Sequence, residues 1–254
     1  MCRLSLYFKH SGFCVIILVF SILACSGIAA GLIENKKLKL YTEITMAGLL
    51  TIFSLIVLLF SVVIHEISHG WAAYYLGDPT AKEAGRLTLN PLKHLDPFGS
   101  ILFPLMLVLL NSRIIFGWAK PVPINPFNLR DRKYGSAKVA AAGPLANILI
   151  AVVFGLLIRF LPLERLSFGP SLFLAFGFIV WVNLLLAVFN LIPIPPLDGH
   201  HIFFSLLPSR FNSIKLFFAR YGFFLLLVFV FFLFRFLLPI VSFLFALIIG
   251  QPFI

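Results

Sequence analysis

The sequence contains little charge and very few acidic residues. Of its 254 residues, nine are Asp or Glu and 11% are charged in total, whereas 61% are hydrophobic. A water-soluble domain with this balance would have too little polar surface to stay in solution. The composition therefore excludes an ordinary soluble protein. It predicts an all-α polytopic membrane protein, because a helix satisfies its own backbone hydrogen bonds in lipid.

Cysteine is also scarce, and long polar segments are absent. Cys2, Cys14 and Cys25 all lie in the first apolar region, and they form neither a metal-binding nor a disulfide framework. No polar stretch is long enough to fold as an added module. We therefore expect a single membrane domain over 1–254.

The apolar segments predict about five to six transmembrane helices. They cover about 11–33, 44–76, 98–110, 136–161, 169–194 and 214–249. The apolar run 13–33 has 21 residues, which is long for a signal peptide and suits a retained membrane span.

One apolar segment is too short to cross a bilayer as a helix. Residues 98–110 number 13 and would rise only about 20 Å, against a hydrocarbon core of about 30 Å. The stretch "RIIFGWAKPVPINP" that follows contains three prolines, which exclude a regular helix. The sequence therefore predicts a re-entrant and extended, β-like segment near 98–128, covered by protein or by a water-filled cavity.

The net charge of +11 is explained by membrane topology. The basic residues lie in short loops, so the charge indicates no nucleic-acid partner. With 98–128 re-entrant, fourteen of the 20 Lys and Arg residues share one side of the membrane, which the positive-inside rule makes cytoplasmic. These are Arg3, Lys9, Lys82, Arg86, Lys93, Arg113, Lys120, Arg130, Arg132, Lys133, Lys138, Arg210, Lys215 and Arg220.

The motif "HEISH" in the apolar segment 44–76 has the spacing of a metal site. His65 and His69 are four residues apart, so a helix presents both on one face, one turn apart. Glu66 points about 100° away, where it can act as a general base on a water activated by the metal. Charged side chains inside a membrane are costly unless they have partners, and they usually mark functional sites.

Two histidines do not complete a catalytic zinc site, which usually has three protein ligands. Asp198 in "PPLDG" is the best third ligand, because the prolines before it and Gly199 after it allow irregular backbone in a polar cavity. His94 is a rival, but a solvated or interfacial side chain is expected there. His200 and His201 follow the turn, and we expect neither to be a ligand. On the predicted topology, His65, Asp198 and the "GPLAN" motif converge at the cytoplasmic end of the bundle.

Asn147, in "AAAGPLANILIA", is an amide in an apolar segment and needs hydrogen-bond partners. Two roles stay open from the residue alone. It could form an interhelical hydrogen bond, or it could donate to the oxyanion formed during amide hydrolysis.

Three stretches together resemble the site-2 protease family of intramembrane zinc metalloproteases, in its short form without a PDZ or CBS domain. They are "HEISHGWAAYYLGDPTAKEAGRLTLNPLKHLDPFG", "AAAGPLANILIA" and "FNLIPIPPLDGH", which span roughly 45–205. The resemblance implies one Zn2+ per chain on His65, His69 and Asp198, with Glu66 as general base. It also implies that Asn147 helps to position substrate and that 111–128 holds the substrate strand. It further implies a catalytic core at about 44–205, with a variable first helix at 11–33 and a variable C-terminal helix at 214–249.

The implied activity is hydrolysis of a peptide bond within or next to a transmembrane segment of a membrane protein. The expected location is a bacterial inner (plasma) membrane, with the active site toward the cytoplasm and the lipid bilayer as surroundings. Alternatives are a transporter or ion carrier with a His/Glu/Asp relay, a membrane-anchored peptidase cutting soluble substrates, and an inactive scaffold. The sequence names no substrate and no oligomeric state.

Overall fold

A computed structural model describes residues 36–110, 119–162 and 168–251, and within these ranges regular structure is helical. The predicted first helix at 11–33 and residues 111–118 of the predicted extended segment therefore lie outside the described residues. Eight α-helices are described: α1 Lys36–Tyr75, α2 Thr80–Glu83, α3 Phe103–Leu109, α4 Gly135–Phe160, α5 Gly169–Asn190, α6 Asp198–Leu206, α7 Asn212–Val228 and α8 Leu237–Ile249.

Four helical runs are long and apolar enough to cross a membrane. They are Gly48–Tyr75, Gly135–Phe160, Gly169–Asn190 and the combined run Asn212–Ile249. The shortest has 22 residues and would span about 33 Å, enough for the hydrocarbon core. The all-helical fold predicted from composition is thus confirmed for the described residues. A total of five to six spans stays a prediction.

Helix α4 lies at the centre of the bundle and packs against α1, α5, α6 and α8. Its small residues allow these close approaches. A Cβ at Gly155 would overlap Ile248 of α8, and Ala151 is fully buried. Small residues bring membrane helices together because lipid offers no hydrophobic driving force between them. This central helix sets the position of the residues on all its neighbours.

The C-terminal run is interrupted before Pro239 and not at it. A π-helical turn at Phe229–Leu233 and a 3-10 turn at Phe234–Phe236 separate α7 from α8. Pro239 lies in the first turn of α8, where its missing N–H costs no helical hydrogen bond. At the far end, Arg159 of α4 donates to the carbonyls of Leu247 and Ile248, which would otherwise lack partners at a helix C-terminus.

The long connection between α1 and α4 leaves and returns at one end of the bundle. The N–H of Arg130 donates to the carbonyl of Leu76 at 2.9 Å, and the N–H of Lys120 donates to the carbonyl of His94 at 2.8 Å. Between His94 and Lys120 in the sequence lie a π-helical turn at Pro97–Leu102 and the short helix α3. The predicted short segment at 98–110 is therefore helical over 98–109, and its re-entry into the membrane stays a prediction.

Residues 119–125 form neither a helix nor a paired strand within the described part of the chain. A 3-10 turn follows at Pro126–Asn128, capped by the side chain of Asn125. In this segment, Pro121 and Pro123 have no N–H and cannot donate to a strand ladder. Its β-like character thus has no counterpart in strand pairing among the residues described.

Candidate active site

His65 and His69 lie one turn apart on the buried face of α1, as their spacing predicts. Their side chains are buried, at 5% and 6% exposure. Their Nε2 atoms are 3.1 Å apart, and the rings meet edge to face. The two nitrogen atoms therefore point toward the same small volume near the C-terminal end of α1.

Asp198 completes this cluster from a distant part of the chain. The helix α5 ends at Asn190, and the proline-containing turn that follows delivers Asp198 to the first turn of α6. Its Oδ2 lies 3.0 Å from Nε2 of His65 and 3.3 Å from Nε2 of His69. Ligand atoms about 2.0–2.1 Å from a tetrahedral zinc ion lie about 3.3 Å apart. The three atoms thus have the separations of zinc ligands.

The hydrogen bonding of His69 points its remaining nitrogen into the cluster. Nδ1 of His69 lies 2.8 Å from the carbonyl of Val139. Because a carbonyl only accepts, Nδ1 carries the proton, and in the neutral ring Nε2 then presents a lone pair. That lone pair faces Asp198, an acceptor group when ionised, and such converging acceptors need a cation between them. The donor set therefore fits a metal ion.

The space beside these nitrogens is kept open by Gly143 of α4. A Cβ at Gly143 would lie 2.5 Å from Nε2 of His69 and 2.6 Å from Nε2 of His65. Any side chain there would overlap the histidine rings. The small residues noted in "AAAGPLAN" thus bring α4 against the metal cluster and leave room next to it.

Glu66 is buried beside the cluster but is not one of its members. Its exposure is 7%, and the three-residue cluster is formed by His65, His69 and Asp198 alone among the described residues. Oε2 of Glu66 accepts a hydrogen bond from the N–H of Val122 at 3.1 Å. Glu66 thus sits between the metal cluster and the segment 119–125.

Arg86 holds that same segment from the other side. Its guanidinium donates to the carbonyls of Lys93, Lys120 and Pro121. Burial lowers the pKa of Arg86, and the negative charge of Glu66 opposes this shift. The sequence reading counted Arg86 only as a loop charge and missed this role, since nothing local in the sequence marks it.

Asp78 anchors the segment at its end and was also missed. It is fully buried, and its carboxylate accepts from the N–H of Asn125 at 2.6 Å and from Nδ2 of Asn128 at 2.9 Å. Burial alone would raise the pKa of Asp78, but hydrogen bonds from Thr80, Asn125 and Asn128 outweigh it and hold that pKa below its usual value.

Asn147 is completely buried and contacts a histidine of the cluster. Its Oδ1 lies 2.6 Å from Nδ1 of His65. Its Nδ2 donates to Oδ1 of Asn183 at 2.8 Å and to the carbonyl of Ser61 at 3.3 Å. The amide thus has its partners inside the protein, and a direct role toward substrate stays a prediction.

The other histidines among the described residues lie outside the cluster. His94 was expected to be solvated or interfacial. The solvated alternative is wrong, because the side chain is 1% exposed and its Nε2 contacts the carbonyl of Thr88 at 2.9 Å. The loops of the α1–α4 connection fold over it. His200 contacts the carbonyl of Leu197 through Nδ1, and the rings of His200 and His201 lie 3.8 Å apart.

Two further buried amides, in the apolar segment 169–194, were not predicted from the sequence. Asn183 and Asn190 are both buried, and each donates to a carbonyl of its own helix, Ile179 and Leu186 respectively. The argument applied to Asn147, that an amide in a membrane helix needs partners, would have identified both.

Comparison with known proteins gives one family and several relatives. The profile of peptidase family M50 matches residues 164–233. The chain is 38% identical over 184 residues to the "Putative zinc metalloprotease YwhC" of Bacillus subtilis, covering 69% of this chain and 78% of that protein. It is 31% identical over 145 residues to the "Putative zinc metalloprotease Rip2" of Mycolicibacterium smegmatis, covering 56% of this chain and 52% of that protein.

A third relative is archaeal. The "Putative zinc metalloprotease MJ0611" of Methanocaldococcus jannaschii is 42% identical over 67 residues, which is 26% of this chain and 32% of that protein. No solved structure matches significantly.

Proposed function

The chain belongs to peptidase family M50 and is a zinc metalloprotease of the site-2 protease type, and from this premise we propose that it cleaves a peptide bond within or next to a transmembrane segment of a membrane protein. The observation that carries the proposal is the location of the site. His65, Glu66 and His69 are buried side chains on the apolar helical run Gly48–Tyr75. A bond at membrane depth is the one such a site can reach.

We assign the zinc ligands to His65, His69 and Asp198. The separations of their ligand atoms and the fixed Nδ1–H of His69 support this assignment. When bound there, zinc acts as a Lewis acid that makes a water molecule nucleophilic at neutral pH and polarises the scissile carbonyl.

Glu66 is proposed as the general base and then the general acid. The N–H of Val122 holds Oε2 of Glu66, which leaves the other carboxylate oxygen to take a proton from the attacking water. The same oxygen then returns that proton to the nitrogen of the leaving amine. Burial beside the metal cluster keeps the carboxylate in place during both transfers.

The segment 119–125 is proposed to receive the substrate as an extended strand. A helical substrate hides its carbonyls in hydrogen bonds and must unwind before attack, and pairing with an exposed backbone edge stabilises the unwound form. Three anchors support this role, because Lys120, Val122 and Asn125 each donate their N–H to fixed acceptors. The segment is therefore held next to Glu66 before substrate arrives.

A direct contact between Asn147 and substrate, as predicted, would compete with hydrogen bonds that Asn147 already makes. Its Nδ2 already donates to Asn183 and to the carbonyl of Ser61. Donation to a substrate oxygen would require the loss of one of these hydrogen bonds. Its contact with His65 favours an action through the metal ligand.

The site is proposed to face the cytoplasm of a bacterial cell. If 98–128 is re-entrant as predicted, fourteen of the 20 Lys and Arg residues fall on the side where α1 ends, and the positive-inside rule then supports a cytoplasmic location. A single cysteine at Leu92, a position 75% exposed, tests this in a chain whose three native cysteines are replaced. An impermeant thiol reagent should label it in inside-out vesicles and not in intact spheroplasts; the reverse pattern would invert the topology.

The activity is tested with the full-length protein in liposomes. Substrates are first trapped in membranes with Glu66→Gln and identified by mass spectrometry. A trapped single-span substrate is then reconstituted with the wild type, and its cleavage site is mapped. We expect a cut within or next to the transmembrane segment, with no cut by Glu66→Gln. Cleavage confined to distant soluble loops would refute the proposal, and zinc flux without cleavage would favour the transporter alternative.

A further inference from the structure

Three polar side chains meet inside the bundle behind the metal cluster. Ser61 lies on α1, Asn147 on α4 and Asn183 on α5, with exposures of 4%, 0% and 0%. Their surroundings are apolar core residues such as Val62 and Val182. Burying an amide without partners costs about 1–3 kcal/mol, so the way these groups pair is strongly constrained.

The hydrogen bonds among these side chains form a continuous series that ends at His65. Nδ2 of Asn183 donates to the carbonyl of Ile179 at 2.8 Å and to Oγ of Ser61 at 3.0 Å. Nδ2 of Asn147 donates to Oδ1 of Asn183 at 2.8 Å. Oδ1 of Asn147 then lies 2.6 Å from Nδ1 of His65.

The direction of this series is fixed by a backbone group. The carbonyl of Ile179 can only accept, so Asn183 must turn its NH2 group toward it. Oδ1 of Asn183 then faces Asn147 and requires a donor there. Asn147 must therefore turn its own NH2 toward Asn183 and its oxygen toward His65. The carbonyl of Ser61, 3.3 Å from Nδ2 of Asn147, favours the same orientation.

The orientation of Asn147 also determines the state of Nε2 of His65, the ring nitrogen that faces the metal cluster. Since Oδ1 of Asn147 accepts, Nδ1 of His65 carries the proton, and Nε2 keeps its lone pair. Nε2 faces His69 and Asp198 at 3.1 Å and 3.0 Å. His69 obtains the same state directly from the carbonyl of Val139, whereas His65 obtains it through two asparagines.

We propose that Asn183 is a positioning residue that acts through Asn147 to hold His65 in its Nδ1–H tautomer, with Nε2 free to bind the metal. This inference rests on the proposed function, in which His65 is a zinc ligand. Without Asn183, the Asn147 amide keeps only the longer, 3.3 Å contact of its Nδ2 with the carbonyl of Ser61, and it can more readily reverse and donate to Nδ1 of His65. A neutral ring would then carry its proton on Nε2, which excludes the metal.

The test measures zinc affinity by chelator competition on the purified full-length protein in detergent. Loss of a partner that orients a metal ligand typically lowers metal affinity 10–100-fold. We expect Asn183→Leu to lower zinc affinity about 10-fold. Ser54→Ala is the control, because Ser54 of α1 is also a buried polar residue, but its hydrogen bond among the described residues goes to the carbonyl of Leu50 in its own helix. It should bind zinc like the wild type.

A rescue variant separates positioning from general damage to the bundle. In Asn147→Asp, both side-chain oxygens accept, so either orientation supports the Nδ1–H tautomer of His65. Asn147→Asp/Asn183→Leu should therefore regain most of the zinc affinity that Asn183→Leu loses. A merely structural role for Asn183 predicts no such recovery.

Two results would overturn the proposal: wild-type zinc affinity in Asn183→Leu, or no recovery in the double variant. If Asn183→Leu does not fold, Asn183→Ala, which adds no atoms to the bundle, is measured with the same pair of outcomes. His65→Ala distinguishes the two levels of the argument. If it binds zinc like the wild type, the proposed metal site fails. If it loses zinc while Asn183→Leu does not, only the role of Asn183 fails.

Discussion

The backbone N–H of Val122 donates to Oε2 of Glu66 at 3.1 Å. This contact joins the predicted general base to the segment proposed to hold substrate. Movement of 119–125 when a substrate strand binds would therefore act directly on the carboxylate that handles the proton. Arg86 strengthens this connection. It donates to the carbonyls of Lys120 and Pro121 and interacts electrostatically with Glu66.

Val122→Pro removes the donor while keeping an apolar side chain. We expect cleavage of a reconstituted substrate to fall about 10-fold or more, since a hydrogen bond to a charged group contributes about 1.5–3 kcal/mol. Zinc content should stay at the wild-type level, because Val122 is not one of the three residues of the ligand cluster. Val122→Ala keeps the N–H and serves as the control. Equal rates for the two variants would show that this hydrogen bond does not matter for catalysis.

Glu66→Gln and His65→Ala should separate chemistry from metal binding. Glu66→Gln keeps the three ligand side chains, so we expect full zinc content by atomic absorption. Its cleavage rate should drop about 100- to 10,000-fold, the usual contribution of a general base. His65→Ala should lose zinc as well as activity. Normal cleavage by Glu66→Gln would remove Glu66 from the mechanism.

Gly143→Ala tests the space beside the cluster. The added methyl group would lie within 2.6 Å of Nε2 of both histidines, so we expect loss of zinc and of cleavage. Gly48→Ala is the control, because Gly48 lies in α1 with no atom within 4 Å of the added Cβ. Zinc retention by Gly143→Ala at the wild-type level would contradict the close approach of α4.

Asp78→Asn tests the anchor of the 119–128 region and has a defined pH dependence. The amide would turn a donor toward the N–H of Asn125 or the side chain of Thr80, so we expect a loss of about 1–3 kcal/mol in unfolding free energy at pH 7. Because the folded-state pKa of Asp78 is depressed, its contribution is complete above its unfolded pKa of about 3.9. It is lost as the pH falls through the folded-state value.

Thermal unfolding in detergent at pH 7, 5 and 3 measures this effect. The difference in melting temperature between the wild type and Asp78→Asn should be constant from pH 7 to pH 5 and should be smaller at pH 3. The same difference at all three pH values would mean that the carboxylate charge has no role in the anchor. Partly exposed Asp131, whose carboxylate pairs with Lys138 at 2.7 Å, gives the control variant Asp131→Asn with a smaller effect.

Parts of the site were predictable because local geometry fixes them. His65 and His69 must share a face once residues 60–70 are helical, and the apolar run left no other structure for that segment. The meeting of Asp198 with these histidines followed from helix direction. It required only that 169–194 run toward the membrane face at which 44–76 ends.

Other parts depended on contacts that no local pattern contains. His94 looked like a loop residue exposed to solvent, yet the loops fold over it. Arg86 looked like one of many loop charges, and its three carbonyl partners lie at residues 93, 120 and 121. Such contacts arise when the α1–α4 connection closes on itself, which is a property of the packed chain.

The sequence by itself determined the apolar helical fold, the pair of histidines with their glutamate and the third carboxylate, since hydrophobicity and helical periodicity act over a few residues. Only the tertiary structure decided how these groups are held. The series of hydrogen bonds from Ile179 through Asn183 and Asn147 to His65 crosses three helices. Its direction is set by which groups can donate and which can only accept once those helices are packed.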